Sequence, residues 1–297
     1  METTITHRSG YVSIIGKPNA GKSSLINALL GERISIITHK AQTTRHRIKG
    51  ILSGDDFQIV FSDTPGTIVP SHKLHEKMMN FVKESYEDAD VFVYMIDAVA
   101  PWEPDEYSEK VFASKVPTIV VLNKVDQLTQ EQTQEMLDII KTSLGANYVV
   151  PLSVLSKFNI TALLDLVKSL LPEGPAYFDK EQLTDKSERF IAAEIIREKI
   201  LLQYQEEVPY TVEVGITSFK DEPTILRIEA EIYIIRESQK PIIIGKGGER
   251  LKRLGTASRL EMEKFFGKKI FLKTFVKVKE NWRENDRMLK EFGYMDK

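Results

Sequence analysis

A short glycine-bearing stretch near the start of the chain combines the residue types that hold phosphate and magnesium. Gly16-Lys-Pro-Asn-Ala-Gly21-Lys-Ser23 fits the pattern G-x-x-x-x-G-K-[ST], between a predicted strand and a predicted helix. The glycines let successive backbone N–H groups and the helix N-terminus face a phosphate. Lys22 would then reach the terminal phosphates, and the Ser23 hydroxyl would bind Mg²⁺. The alternative is an ordinary glycine turn, which this strand–turn–helix setting disfavours. The residues expected to bind the nucleotide here are Gly16, Asn19, Ala20, Gly21, Lys22, Ser23 and Ser24.

Asp63-Thr-Pro-Gly66 is a second element with the chemistry of a phosphate site. A carboxylate at this point can hold Mg²⁺ through water, while the N–H of Gly66 meets a γ-phosphate. Read alone, the sequence is an ordinary turn. Its position about forty residues after the first motif favours the functional interpretation.

Asn123-Lys-Val-Asp126 follows another predicted strand and carries the residue types that select guanine. The carboxylate of Asp126 can accept hydrogen bonds from both N1–H and the exocyclic amine of guanine. Adenine offers neither donor in that arrangement and would leave the charge unpaired. Asn123 would tie this loop to the first motif, and the aliphatic stem of Lys124 would lie over the base.

The elements that must position these loops alternate between strand-like and helix-like runs. Continuous apolar strands separated by helices indicate a mostly parallel sheet with helices on both faces, whose ligands bind at the carboxyl ends of the strands. The predicted strands are Tyr11–Ile15, Phe57–Phe61, Val91–Ile96, Thr118–Leu122 and Tyr148–Leu152. The predicted helices are Lys22–Leu30, Lys73–Glu87, Gln130–Thr142 and Ile160–Leu171.

The run Leu171-Pro-Glu-Gly-Pro175 has the composition of a domain boundary. We therefore predict a first domain over residues 1–172, a linker over 173–186 and a second domain over 187–297. The second domain is predicted as α+β and has a basic, helix-like tail from Asn281. Its predicted elements are a helix over Ser187–Leu202, strands over Thr211–Phe219 and Ile225–Ile235, a helix near Glu249–Phe266 and a strand near Lys269–Lys277.

The second half also holds a candidate nucleic-acid site. Pro241-Ile-Ile-Ile-Gly245-Lys-Gly-Gly248 is read as the end of an apolar strand followed by G-x-x-G and a helix start. In KH domains such a loop clamps nucleic-acid phosphates beside an apolar groove for bases. The alternative is a simple turn between a strand and a helix. The residues expected to contact RNA are Gly245, Lys246, Gly247, Gly248, Arg250, Lys252 and Arg253.

Composition and charge narrow the class of protein. The chain has no cysteine, which excludes disulfides, thiolate metal sites and cysteine nucleophiles. Its start lacks the pattern of a secretory signal, and no apolar run approaches the ~20 residues needed to span a bilayer. From Pro241 onward there are 15 Lys and Arg against 8 Asp and Glu, although the whole chain has a net charge of −2. A basic end on an acidic body favours a polyanionic partner.

The ordered set of three motifs resembles the P-loop GTPases of the translation-factor-related class. The resemblance implies an α/β P-loop GTPase domain that takes GTP or GDP and Mg²⁺. It places a magnesium-binding threonine in Gln42-Thr43-Thr44-Arg45, where Thr43 and Thr44 both qualify and Thr44 is favoured. With Ser23 and Asp63, Thr44 completes the expected metal ligands. A final guanine loop is expected at Ser153, Val154 and Leu155, where valine replaces the usual alanine.

The same resemblance bears on hydrolysis. Thr67 follows Asp63-Thr-Pro-Gly66, whereas Ras-like proteins carry a water-orienting glutamine there, so we expect slow intrinsic turnover. In the resembling subclass, an asparagine at the position of Asn19 can bind K⁺ in place of an arginine finger. We therefore hypothesise K⁺-stimulated hydrolysis, with Lys22, Asn19 and Thr44 as the catalytic set. The alternative is that Asn19 only shapes the loop.

The two halves together resemble the Era family of bacterial GTPases. The features that carry this resemblance are Lys40–Arg47, Ile244–Gly248, Phe271–Val278 and Asn281-Trp-Arg283. The resemblance implies binding to 16S ribosomal RNA near its 3′ end during assembly of the 30S subunit, with GTP strengthening the RNA-bound state. It implies a cytoplasmic monomer and no DNA partner, and it leaves open association with the inner face of the cell membrane.

Two other functions remain as alternatives. One is an RNA-binding scaffold whose nucleotide site has negligible turnover. The other is a GTPase that serves tRNA modification, which would need large extra helical domains and a catalytic C-terminus that this sequence lacks.

Overall fold

A computed structural model describes residues 7–295, which form two compact units. The first unit takes in the chain up to Ser35, Thr44–Val69 and Met78–Asp185. The second takes in Ile36–Thr43, Pro70–Lys77 and the chain from Lys186 onward. Two short segments from the first half of the sequence therefore belong to the second unit. No helix among the described residues is long and apolar enough to cross a membrane.

The first unit is built on one six-stranded sheet in the order β2-β3-β1-β4-β5-β6. All neighbouring strands run parallel except β2, which pairs antiparallel with β3. The motif-bearing loops follow β1, β3, β5 and β6, so the parallel strands bring them to one edge of the sheet. The strands are β1 Arg8–Gly16, β2 Ile48–Ser53, β3 Phe57–Asp63, β4 Val91–Asp97, β5 Thr118–Asn123 and β6 Tyr148–Leu152.

A short turn joins β2 to β3, helices lie between the other consecutive strands, and the central strands are buried on both faces. In β4, Phe92 and Tyr94 lie in a core cluster with Val111 and Leu137, while the intervening Val93 and Met95 are also buried. Such continuous burial is what a parallel sheet covered by helices requires. The helices are α1 Lys22–Leu30, α2 Lys73–Glu87, α3 Glu106–Ala113, α4 Gln130–Leu144 and α5 Ile160–Leu170.

The ends of these helices follow from local chemistry. Asp105 and Thr129 begin α3 and α4 with capping boxes, in which the side chain accepts a hydrogen bond from the backbone three residues on. Gly145 ends α4 in the left-handed region, at φ 59°. Residues 173–185, which fall within the stretch predicted as a linker, belong to the first unit, where Ile51 N–H donates to the carbonyl of Leu183 at 2.9 Å.

The second unit has a three-stranded sheet in the order β7-β8-β9, with β9 parallel to β8 and β7 antiparallel to it. Ile196 and Ile200 of the first helix pack with Ile228 and Ile232 of the central strand, and Leu254 of the long helix joins the same cluster. The elements are α6 Glu188–Gln203, α7 Val208–Thr211, β7 Glu213–Asp221, β8 Ile225–Ile234, α8 Lys240–Ile244, α9 Glu249–Phe266, β9 Lys269–Val278 and α10 Asp286–Glu291.

The predicted fold class is confirmed, but several local predictions were incomplete or wrong. The four-residue helix α7 was missed, and Thr211, predicted to begin a strand, is its last residue. Both β2 and α3 were missed, because β2 is a short edge strand and α3 is only a two-turn helix. The run Pro241–Ile244, predicted as a strand end, is instead part of α8, which has proline in its first turn. A short apolar run does not distinguish strand from helix by itself. Proline fits the first helical turn because its missing N–H would be unsatisfied there anyway.

Candidate functional site

The loop between β1 and α1 adopts a conformation that depends on its small residues. Gly21 has φ +101°, and a Cβ placed on it would lie 2.3 Å from the amide nitrogen of Asn123. Asn19 is in the left-handed region at φ 64° and its side chain is exposed. Ala20 is buried, whereas Ser23 and Ser24 lie in the first turn of α1 and are half-buried. The loop thus ends at a helix N-terminus with backbone N–H groups available to an anion.

Lys22 is folded back over this loop. Its ammonium group donates to the carbonyl oxygens of Gly16 at 2.8 Å and Lys17 at 2.9 Å. Burial lowers the pKa of Lys22 to about 8, and the negative charge of Asp63 opposes that shift. A phosphate next to the ammonium would favour its charged form. The side chain is therefore placed where it can exchange carbonyl contacts for phosphate contacts.

Three oxygen-bearing side chains predicted to bind magnesium lie together. Ser23 Oγ donates to Asp63 Oδ2 at 2.8 Å and lies 3.0 Å from Thr44 Oγ1, which is 3.5 Å from the same carboxylate oxygen. Burial raises the pKa of Asp63, and the hydrogen bond from Ser23 acts in the opposite direction. Asp63 Oδ1 is buried and has no hydrogen-bond partner among the described residues. A hard, oxygen-preferring cation such as Mg²⁺ fits this set of donors.

The structure distinguishes Thr43 from Thr44, the two threonines that the sequence left as alternative magnesium ligands. Thr43 Oγ1 lies 2.7 Å from Thr38 Oγ1 and donates to the carbonyl of Lys40 at 2.6 Å. Its hydroxyl is thus used within its own loop, whereas the hydroxyl of Thr44 faces Ser23 and Asp63. Thr44 is therefore the threonine whose hydroxyl lies beside Ser23 and Asp63.

The segment after β3 approaches the phosphate loop closely. The Thr64 hydroxyl donates to the carbonyl of Ile14 at 3.2 Å. A Cβ added to Gly66 would lie 2.8 Å from Cγ of Pro18 and 3.0 Å from its Cα, so only glycine fits without movement. Thr67, where a water-orienting glutamine would stand, is half-buried.

Asn123 connects the loops that would enclose the base. Its side-chain amide donates to the carbonyl of Ala20 at 2.8 Å, and its oxygen accepts from Val154 N–H at 3.2 Å. Asp126 Oδ1 accepts from Ser153 Oγ at 2.5 Å. The predicted guanine residues from two strand ends are therefore joined by direct hydrogen bonds. Leu155 contributes an exposed side chain to the same loop.

Asp97 contacts the loop Asn123–Asp126, and sequence reasoning missed it. It ends β4 and pairs with the ammonium of Lys124 at 2.5 Å. Asp97 lies opposite Asn123 in the parallel register of β4 and β5, so the two strand ends present their polar residues together. The signal available in the sequence was an aspartate at the end of a predicted strand, with no way to tell which strand is its neighbour.

The glycine-rich loop of the second unit joins α8 to α9. Gly245 has φ +75°, and a Cβ there would lie 2.7 Å from Cγ of Arg250. Gly247 and Gly248 are also left-handed, at φ 62° and φ 82°. The basic side chains predicted to contact RNA are all exposed, namely Lys246, Arg250, Lys252 and Arg253.

An open groove of about 400 Å³ begins beside this loop. It runs between α9 and β9 and combines apolar, small and basic residues. Sequence reasoning named Gly248 and Lys252 but missed the rest of the lining, for which the only signal was a glycine inside a helix. The lining residues are Gly248, Leu251, Lys252, Gly255, Thr256, Arg259, Leu272 and Thr274.

Each of the two units contains a segment that matches a protein-family model. A family model described as 50S ribosome-binding GTPase matches residues 11–124, and one described as KH domain matches residues 207–283. A protein of Syntrophus aciditrophicus (strain SB) named GTPase Era is 43% identical over 295 residues, which cover 98% of this chain and 96% of that protein. The chain belongs to the Era family of GTPases.

Two solved structures of Era match nearly the whole length of this chain. A crystal structure of Era in complex with MgGDPNP and nucleotides 1506–1542 of 16S ribosomal RNA matches with a TM-score of 0.93 and 40% identity, covering 98% of this chain and 100% of that one. A tyrosine-to-alanine variant of Aquifex aeolicus Era bound to GDP and AlF4⁻ also matches with a TM-score of 0.93 and 40% identity. It covers 97% of this chain and 100% of its own. As an Era GTPase, the chain is an enzyme that hydrolyses GTP.

Proposed function

We propose that this Era-family chain is a GTP-hydrolysing switch that binds 16S ribosomal RNA near its 3′ end and acts in assembly of the 30S subunit. The observation that carries the proposal is its match, over nearly the whole chain, to the complex of Era with MgGDPNP and that RNA. The description of the matching GTPase model names the 50S subunit, but that model spans only residues 11–124. The solved complex covers both units, so the small-subunit RNA is the better-supported partner.

Guanine selection rests on the loops joined by Asn123. We propose that Asp126 accepts from N1–H and the exocyclic amine of the base, and that Ser153 orients its carboxylate. A carboxylate offers about four lone-pair positions, so one hydrogen bond from Ser153 leaves enough for both donors of guanine. Lys124, held by Asp97, covers the face of the base.

Hydrolysis rests on positioning and charge rather than on a catalytic base. Water attacks the γ-phosphorus of GTP while the bond to the β–γ bridging oxygen breaks, giving GDP and inorganic phosphate. Lys22 holds the terminal phosphates, and Gly66 offers its N–H to the γ-phosphate. We assign Ser23, Thr44 and Asp63 to Mg²⁺, which supplies Lewis-acid stabilisation of the charge on the phosphates when bound.

Asn19 supports a role for potassium. Its exposed side chain stands on the loop that would wrap the phosphates, in a left-handed conformation. We propose that its amide oxygen binds K⁺ and that the ion stabilises the charge that develops during hydrolysis. The test is turnover in K⁺ and in Na⁺ at equal ionic strength. Faster turnover in K⁺ is expected, and equal rates would exclude this role.

The glycine-rich loop and the groove between α9 and β9 form the proposed RNA site. The backbone of Gly245–Gly248 would clamp phosphates, and Leu251 and Leu272 would provide apolar contacts for bases. Crosslinking followed by sequencing of the bound RNA, in the GTP and GDP states, tests the partner. Reads concentrated at the 3′ end of 16S RNA in the GTP state are expected. Reads that ignore this region would refute the ribosomal assignment.

A second candidate function follows from Thr67. Without a water-orienting glutamine, the chain could act as an RNA-binding scaffold whose nucleotide site hardly turns over. Multiple-turnover phosphate release, with and without ribosomal RNA, separates the two functions. A rate equal to that of the Asp63→Asn variant would favour the scaffold, and a clearly higher rate would exclude it.

The proposed place of action follows the proposed partner. We propose that the main pool of the protein is in the cytoplasm with the 30S particles, and that a smaller share lies at the inner face of the cell membrane. Cell fractionation tests both parts. Co-sedimentation with 30S particles is expected, and a pool found only with membranes would contradict the proposal.

A further inference from the structure

Arg197, in the middle of α6, is a buried cation that belongs to none of the nucleotide-binding or RNA-binding motifs. Its side chain is 0% exposed and forms a two-pronged ion pair with Glu194, at 2.7 Å from Nε and 2.6 Å from Nη2. The same guanidinium donates to the carbonyl oxygen of Thr43 through Nη2, and to that of Gln42 at 3.4 Å through Nη1. Glu194 thus orients an arginine whose remaining donors hold two consecutive backbone carbonyls.

The segment Ile36–Thr43 is held at further points along the same helix. Glu198, whose side chain is 1% exposed, accepts from the backbone N–H of Ile37 at 3.2 Å. The Lys40 ammonium donates to the carbonyl of Tyr204, the residue after α6. Contacts with α6 therefore fix the start, the middle and the end of this segment, in agreement with its place in the second unit.

The segment is also tightly tied within itself. The Thr38 hydroxyl lies 2.7 Å from that of Thr43 and accepts from Lys40 N–H at 3.1 Å. Gln42 is in the left-handed region at φ 58°, which costs a residue with a side chain some energy. Such a turn persists only where its surroundings hold it. Arg197, which binds the carbonyls of Gln42 and Thr43, is part of those surroundings.

The hydrogen bond from Arg197 to the Thr43 carbonyl also restricts the position of Thr44, because the two threonines share a peptide bond. The carbonyl of Thr43 and the N–H and Cα of Thr44 lie in one plane. A guanidinium that fixes the direction of the Thr43 carbonyl therefore also fixes where the Thr44 Cα stands. The Thr44 hydroxyl, 3.0 Å from Ser23 Oγ, is the one that the structure places at the proposed magnesium cluster.

We propose that Arg197 is a positioning residue for GTP hydrolysis, which sets the Thr44 hydroxyl for Mg²⁺ by holding the Thr43 carbonyl. The inference rests on the proposed function, since it assigns Thr44 to the metal. Arg197 touches neither nucleotide nor metal in this role. Residues that hydrogen-bond to metal ligands and orient them typically affect metal affinity or activity by about 10- to 100-fold when they are replaced.

The experiment compares Arg197→Lys and Arg197→Met with the wild-type chain. Lysine keeps the charge beside Glu194, but a single ammonium cannot reproduce the fork that spans Glu194 and the Thr43 carbonyl. Steady-state GTP hydrolysis is measured across a Mg²⁺ titration, GDP affinity is measured separately, and thermal unfolding checks the fold. Arg227→Met is the matched control, because Arg227 pairs with exposed Glu222 in the same unit.

For Arg197→Lys, we expect the Mg²⁺ concentration at half-maximal rate to rise about tenfold and kcat to fall about tenfold, the usual range for such supporting residues. Affinity for GDP should change less than about twofold. The reason is that γ-phosphate and Mg²⁺ contacts order such loops in the GTP state and are released on hydrolysis. Arg197→Met should show the same pattern more strongly, and Arg227→Met should match wild type.

Two results would overturn the inference. One is a folded Arg197→Lys protein with an unchanged Mg²⁺ dependence and kcat. The other is a parallel loss of GDP and GTP binding, which would mark Arg197 as purely structural. Thr44→Ala separates this failure from failure of the proposed function. If Thr44→Ala loses activity while Arg197→Lys keeps it, only the positioning role is wrong. If Thr44→Ala is fully active, the metal assignment itself is wrong.

Discussion

Replacement of Asp126 by asparagine should remove the preference for guanine while leaving the fold intact. Asp126 is exposed in the nucleotide-free chain, and Ser153 donates to one of its carboxylate oxygens at 2.5 Å. The asparagine amide keeps one oxygen, and the hydroxyl of Ser153 occupies it. Its NH2 group can only donate, so it faces the N–H donors of guanine without forming a bond.

The size of the effect follows from the two hydrogen bonds that are lost. A hydrogen bond to a charged group contributes about 1.5–3 kcal/mol. Because Asp126 is exposed before binding, the lower value applies to each. Every 1.4 kcal/mol is about a tenfold change in affinity, so the variant should bind GDP about 100-fold more weakly. IDP lacks the exocyclic amine, so wild type should prefer GDP over IDP about tenfold, and the variant should hardly distinguish them.

The assay is a competition titration of GDP, IDP and XDP against a fluorescent guanine nucleotide, for wild type and variant. XDP carries an oxygen in place of the amine, so it should gain affinity in Asp126→Asn. The matched control is Asp138→Asn, an exposed aspartate on α4. The reasoning would be refuted by a variant that binds GDP as wild type does, or by a loss of GDP affinity with the full GDP-over-IDP preference retained.

Three further outcomes follow from named contacts. Gly21→Ala should abolish nucleotide binding in a titration, because its Cβ would lie 2.3 Å from the Asn123 amide, whereas Gly145→Ala, with nothing within 4 Å of its Cβ, should bind normally. Trp282→Ala should lower the free energy of unfolding by about 3 kcal/mol, seen as a lower Tm, because its ring is wholly buried. Lys252→Ala should weaken binding of a single-stranded 16S 3′-end RNA and reduce the slope of log K against log salt by about 0.7, since one phosphate contact is lost. An unchanged slope would remove Lys252 from the phosphate contacts.

The loops that carry chemistry were predictable because each depends on a few consecutive residues. Gly21, Lys22 and Ser23 have a local pattern that already specifies a turn and a helix start. The strand predictions were similarly local, because the central strands are buried on both faces and read as unbroken apolar runs. The position of Asn123 at the end of such a strand then followed from the sequence alone.

Other parts of the site depend on contacts between residues that lie far apart in the chain. Thr43 and Thr44 carry the same hydroxyl one residue apart, and only hydrogen bonds formed in the folded chain distinguish them. Asp97 meets Lys124 because β4 and β5 are neighbours in a particular register. No local pattern specifies that pairing.

The buried arginine illustrates the same limit most clearly. Arg197 contacts the carbonyl of Thr43, 154 residues earlier in the sequence. In the sequence it reads as one charged residue in a helix with many charges, and such residues are usually exposed. Only its burial beside Glu194 indicates that it has a specific partner.

The most direct test of the account is multiple-turnover phosphate release by the wild-type chain and by Asp63→Asn, with Mg²⁺ and saturating GTP. Asp63 is the buried carboxylate that joins Ser23 and Thr44 at the proposed metal cluster. We expect slow but continuous turnover by wild type and a rate about 100-fold lower for the variant, at the upper end of what loss of a metal-supporting group costs. Equal rates for the two proteins would contradict the account.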